Sequence, residues 1–115
     1  MGREPATTRT EIPPGTLYML ILRTLAHLGP MHGYGVAQHI QRISEDVLQV
    51  EEGSLYPALQ RMLIKGWVKA EWGQSDNGRR ARYYRLTPAG KKQLEAEISE
   101  FEKVIRAITR VIQPA

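Results

Sequence analysis

A mainly helical fold with one small β-hairpin is predicted by three features of this 115-residue sequence. Apolar residues recur at helical spacing in four stretches, around residues 16–28, 33–44, 54–65 and 88–112. Residues 67–72 and 80–86 read as strands, and the Asn77-Gly78 pair between them is a hairpin turn signal. Positive charge is concentrated on the third helix and that hairpin. Between Arg61 and Lys92 nine Lys or Arg residues face two acids, Glu71 and Asp76, so this interval is +7 in a chain of net charge +4. Charge this local is a surface feature aimed at an anionic partner.

Residues 1–14 hold Pro5, Pro13 and Pro14 among threonines, without apolar periodicity, and are expected to form a flexible arm. From Thr16 a helix places Leu17, Leu20, Ile21, Leu25 and Leu28 on one face. Tyr18, Met19, Leu22 and Ala26 widen it, so the helix is expected to bury two faces. Gly29-Pro30 ends it. A second helix over 33–44 carries Val36, Ala37, Ile40 and Ile43, and Leu48-Gln49-Val50 reads as a short extended segment. Ser54 is expected to start the third helix, with Pro57 in its first turn, where a missing N–H costs nothing. Leu55, Leu59, Met62 and Leu63 form its buried stripe, and Gly66 closes it. Residues 73–79 connect the two strands. Thr87-Pro88 then gives the last helix a hydroxyl N-cap and a proline first position.

Composition narrows the functions. One domain fits this length, with no room for a separate catalytic domain. There is no Cys, hence no disulfide, thiolate nucleophile or thiolate metal site. No apolar run approaches the ~20 residues that span a bilayer, and the N-terminus has no signal-peptide stretch. A soluble protein of the bacterial cytoplasm is expected, and a pI near 9.6 suits a polyanionic partner. No enzyme site emerges and no cofactor or metal is expected. His27, His32 and His39 make no i, i+4 ligand pair, Ser54 and Ser75 have no evident base, and Glu51 and Glu52 fit a helix N-terminus better than acid–base work.

The third helix is the candidate reader. With Leu55, Leu59 and Met62 inward, Pro57, Gln60, Arg61 and Ile64 face outward and Ser54 and Tyr56 flank them. Gln pairs bidentately with adenine and Arg with guanine, so Gln60 and Arg61 suit base edges, with Lys65 as a further cation. An amphipathic helix with solvated polar residues is the plainer alternative. The hairpin tilts the balance: Arg79, Arg80 and Arg82 lie at or just past the turn, and Asn77 adds a neutral donor. Alternation puts Arg80, Arg82, Tyr84 and Leu86 on one face, the first two solvated and the last two on the core. Arginines on a projecting hairpin suit phosphate contact or minor-groove entry. Tyr83 and Tyr84 read as half-buried strand residues rather than a base-stacking platform.

The last helix carries Leu94, Ile98, Phe101, Ile105, Ile108 and Ile112 at spacings of 4, 3, 4, 3 and 4, a heptad seam. One helix projecting from a small core cannot hide such a seam, so a twofold partner is expected, with Tyr18 and Leu22 of the first helix completing the interface. Folding back onto the chain's own first helix is the alternative.

Three stretches together resemble the PadR family of bacterial winged-helix transcriptional regulators. They are Gly29-Pro-Met-His-Gly-Tyr-Gly35, Glu52-Gly-Ser-Leu-Tyr-Pro-Ala-Leu-Gln-Arg-Met62 and Gly78-Arg-Arg-Ala-Arg-Tyr-Tyr-Arg-Leu-Thr-Pro-Ala-Gly90. The resemblance spans residues 16–112 and fits the short branch, with a single C-terminal helix. It implies a winged helix-turn-helix DNA-binding domain over 15–86, a dimerisation helix over 87–113, and a homodimeric repressor on a palindromic operator. Tyr34 and Gln38 would lie near phosphates, and Ser54, Tyr56 and Pro57 match the motif that opens the recognition helix. Some short members bind planar aromatic drugs between the dimer's terminal helices, stacked on Trp. That places a small-molecule effector at the dimer interface, but here no Trp follows Trp72 and Phe101 is the last helix's only aromatic. An RNA-binding or ribosome-associated winged helix and a module docking an acidic protein are the competing readings. The seam and the Gln60–Arg61 pair favour DNA, because twofold symmetry suits a palindromic site, and the acidic-protein module leaves the helix-turn-helix spacing unexplained.

Overall fold

In the computed structural model, residues 12–13, 15–74 and 76–113 are described; the arm expected over 1–14 falls almost wholly outside them, as does Ser75. The chain forms α1 (Leu17–Leu28), β1 (Met31–His32), α2 (Gly33–Ile43), α3 (Glu52–Ile64), β2 (Val68–Gln74), β3 (Arg80–Leu86) and α4 (Pro88–Ile112). The expected class, mainly helical with a small β-wing and a long last helix, is the class observed. The strands make one antiparallel sheet in the order β1-β3-β2.

The core lies where α1, α2 and α3 meet the base of the sheet. Ile21, Leu22, Val36, Leu55, Leu59, Met62 and Val68 are fully buried there. Each helix ends for a local reason. Gly29, at φ 84, closes α1, its N–H donating to the Leu25 carbonyl at 2.9 Å. Gly66, at φ 77, closes α3 with the paired bonds of a Schellman motif: Gly66 N–H to the Leu63 carbonyl and Trp67 N–H to the Met62 carbonyl. His32 caps α2, its Nδ1 accepting from the Gly35 N–H at 3.0 Å.

Two expectations need correction. The third strand is Met31–His32, paired to Tyr84 and Tyr83, and not the segment at Leu48-Gln49-Val50, where Leu48 makes only an isolated bridge. Two residues between a Gly-Pro turn and a glycine carry no periodicity to detect. The third helix starts at Glu52, two residues before Ser54, with Glu51 at the N-cap position and no side-chain cap bond. Pro57 therefore sits in the second turn, where its missing N–H deprives the Gly53 carbonyl of its usual partner. That face is exposed, so water can satisfy the carbonyl.

Thr87 fastens α4 to the rest. Its hydroxyl accepts from the Gly90 N–H at 3.0 Å and donates to the Gly66 carbonyl at 2.7 Å, while its own N–H donates to the Trp67 carbonyl at 3.1 Å. A Cβ on Gly90 would stand 2.0 Å from the Trp67 carbonyl oxygen, so only glycine fits. From this lock α4 packs across α1 through Leu94 and Ile98, then leaves the body of the protein. Beyond Ile98 every described residue of α4 is exposed.

The seam is thus divided. Leu94 is 4% exposed and Leu22 is 0% exposed, so both belong to the core of one chain and have no surface left for a second. The chain's own α1 covers the seam as far as Ile98. Phe101, Ile105, Ile108 and Ile112 remain uncovered, and Val104 and Val111 broaden that stripe. Tyr18, expected on the first helix to complete the interface, makes contacts within its own chain: its ring meets Trp67 edge-on at 5.7 Å, and its hydroxyl accepts from Arg61 Nε.

Candidate nucleic-acid interface

Three elements converge on a cleft of about 620 Å3 between the wing and the N-terminal turns of α2 and α3. From α2 come Tyr34 and Gln38, one helical turn apart and both exposed. From α3 comes Tyr56. A Cβ on Gly33 would stand 2.9 Å from its ring, so the glycine lets the two helix starts approach. Burial, then the charge of Glu52 and the neighbouring Tyr84, raise the pKa of the Tyr56 phenol above its ordinary value. The phenol therefore stays protonated and remains a donor. From the wing come Asn77, Arg79, Arg80 and Arg82.

The wing is built so that these cations project. Val68 pairs with Leu86, Ala70 with Tyr84, Trp72 with Arg82 and Gln74 with Arg80. Strand alternation puts all eight on one face. At the base that face carries buried Val68 and Tyr84; toward the tip the same face leaves the core and carries Arg82 and Arg80. On the other face Tyr83 lies over Gly73, donates its hydroxyl to the Gln74 carbonyl at 2.8 Å and meets the His32 ring edge-on. Both tyrosines are strand residues half or wholly buried, as expected. At the tip Gly78 takes φ 80 and the Asn77 side chain accepts from the Arg79 N–H at 3.2 Å.

The remaining residues of α3 fall on its other sides. Ser54, Pro57 and Arg61 line a second hollow of about 670 Å3, walled by Tyr18 of α1 and by Gln49 and Glu51. Arg61 is held there, its guanidinium over the Tyr18 ring and hydrogen-bonded to the hydroxyl. Gln60, about 100° away round the helix, is exposed on the outward face with Ile64. Lys65 Nζ lies 5.3 Å from the centroid of Trp67. The expected site residues thus form a cleft group (Tyr34, Gln38, Tyr56, Asn77, Arg79, Arg80, Arg82), an outward Gln60, and a flank group toward α1. Trp72 is the residue the sequence reading missed. It lines the cleft, is 59% exposed, and has the Arg80 guanidinium 4.5 Å over its ring.

No helix among the described residues is long and apolar enough to cross a membrane. Residues 21–96 match the model of the transcriptional regulator PadR-like family, a span holding α2, α3, both long strands and the start of α4. A transcriptional regulator of Mycobacterium tuberculosis, Rv3488, is 33% identical over 78 residues, 68% of this chain and 69% of its own length. Among solved structures, a transcriptional regulator from Clostridium thermocellum superposes with TM-score 0.79 at 27% identity, over 86% of this chain and 95% of that one. A PadR family transcription regulator from Clostridium difficile gives TM-score 0.72 at 31% identity, over 85% and 99%. Family match, wing and helix order agree: the chain belongs to the PadR-like family of transcriptional regulators.

Proposed function

We propose that this regulator is a homodimeric repressor that binds a palindromic DNA operator, with the start of α3 in the major groove and the wing on the flanking backbone. The observation that carries the reading is the cleft, in which Tyr34, Gln38 and Tyr56 stand opposite Asn77, Arg79, Arg80 and Arg82. Neutral donors on two helix starts and arginines on a hairpin suit a phosphate strand passing between them. Gln60, outward and exposed, suits an adenine edge. The family resemblance supports the repressor sign.

Twofold assembly is supported by the uncovered stripe on α4, where Phe101, Val104, Ile105, Ile108, Val111 and Ile112 are all exposed, the kind of apolar patch that marks an interaction site. A small-molecule effector, where one acts, would lie between the paired α4 helices, against Phe101. Competition binding at matched salt tests the whole. A labelled duplex from the protein's own promoter should be displaced by the same unlabelled duplex, and far less by structured RNA or an acidic polypeptide. Equal displacement by RNA would overturn the DNA reading.

A further inference from the structure

Trp72 is large, apolar and mostly solvent-exposed, and neither the core nor base reading gives it a task. It stands directly across from Arg82 in the β2–β3 register, with Arg80 two residues further on the same face. The Arg80 guanidinium carbon lies 4.5 Å from the indole centroid and that of Arg82 lies 6.0 Å away, so one ring serves two cations. Indole offers the strongest cation–π face of the aromatic side chains. Stacking engages the flat face of a guanidinium and leaves its N–H edge free to donate to phosphate oxygens. An arginine otherwise free to sample many rotamers is then already aimed before a ligand arrives.

We infer that Trp72 is a positioning residue of the wing, stacking Arg80 and Arg82 so that both guanidinium edges face a phosphate strand in the cleft. The inference rests on the DNA reading, and its tests separate the two. On duplex DNA, Trp72→Leu should weaken binding about two- to fivefold, the scale of an exposed cation–π contact, whereas Trp72→Phe, which keeps a ring face, should retain most of the affinity. In an Arg80→Ala/Arg82→Ala background, Trp72→Leu should have no further effect, because the residue acts only through those arginines. An undiminished affinity for Trp72→Leu, or the same loss in both backgrounds, would overturn the inference and leave the DNA reading standing. A wild-type protein that binds no duplex overturns both. The stack is also measurable in the free protein. With Trp67→Phe leaving Trp72 as the only indole, removing both arginines should increase quenching of its fluorescence by acrylamide. Unchanged quenching would refute the stacking whatever the DNA data show.

Discussion

Gly90 shows how one residue fixes the relation between two parts of the molecule. The Trp67 carbonyl that a side chain at position 90 would strike also accepts the Thr87 N–H, so neither can yield without loosening the start of α4. Gly90→Ala should destabilise the protein by at least ~1–3 kcal/mol, the cost of overpacking a site closed by backbone. Thermal or urea unfolding measures this, and a stability equal to wild type would mean that α4 can shift. The chemistry of α3 also turns on single residues. Gln60 faces outward and Arg61 is held by Tyr18, so the two are expected to behave differently although they are adjacent. Gln60→Ala should cost on the order of 1–3 kcal/mol on the operator and much less on scrambled DNA. Arg61→Ala should weaken both duplexes alike, as a backbone contact does. Titration of each variant on the two duplexes decides it; a selective loss for Arg61→Ala would show that the guanidinium leaves Tyr18 to read a base.

At the scale of elements, the sequence reveals long amphipathic helices and the hairpin because periodicity over many residues overrides local detail. It does not reveal β1, because two residues have no period, and β1 forms only where β3 offers its free edge. The start of α3 is misplaced by two residues because Ser54 and Pro57 imitate a cap and a first turn, whereas the cap position belongs to Glu51, which makes no side-chain bond. Leu22 and Leu94 continue apolar stripes without a break, and only packing reveals that the chain's own core claims them. Trp72 carries no signal in a single sequence; its meaning comes from the register that sets it beside Arg82. The wing itself gives a prediction at this scale. Each of Arg79, Arg80 and Arg82, replaced by Ala, should reduce the slope of log affinity against log salt by about one unit and weaken specific and scrambled duplexes about equally. A slope that stays at the wild-type value for all three variants would remove the wing from the phosphate backbone.

For the whole molecule the decisive feature is the outer half of α4, which carries apolar side chains away from the core instead of into it. Ile105 is 43% exposed and Ile108 is 48% exposed, and none of the described residues covers them once the helix passes Ile98. Paired with the same stripe of a second copy, these residues would be desolvated, and the two reading heads would be tied together. A palindromic site rewards that arrangement: the second head binds intramolecularly, about one helical turn of DNA from the first, and adds affinity without any new type of contact. Ile105→Asp should therefore act on assembly and not on folding. Its carboxylate costs nothing in a monomer, where the position is solvated, but several kcal/mol if buried unpaired in a dimer. The variant is expected to sediment as a folded monomer at micromolar concentration, with wild-type-like circular dichroism, near-normal affinity for a half-site and a large loss on the full operator. Wild-type protein that sediments as a monomer, or an Ile105→Asp dimer that grips the full operator undiminished, would show that the stripe serves something other than pairing two copies of this chain.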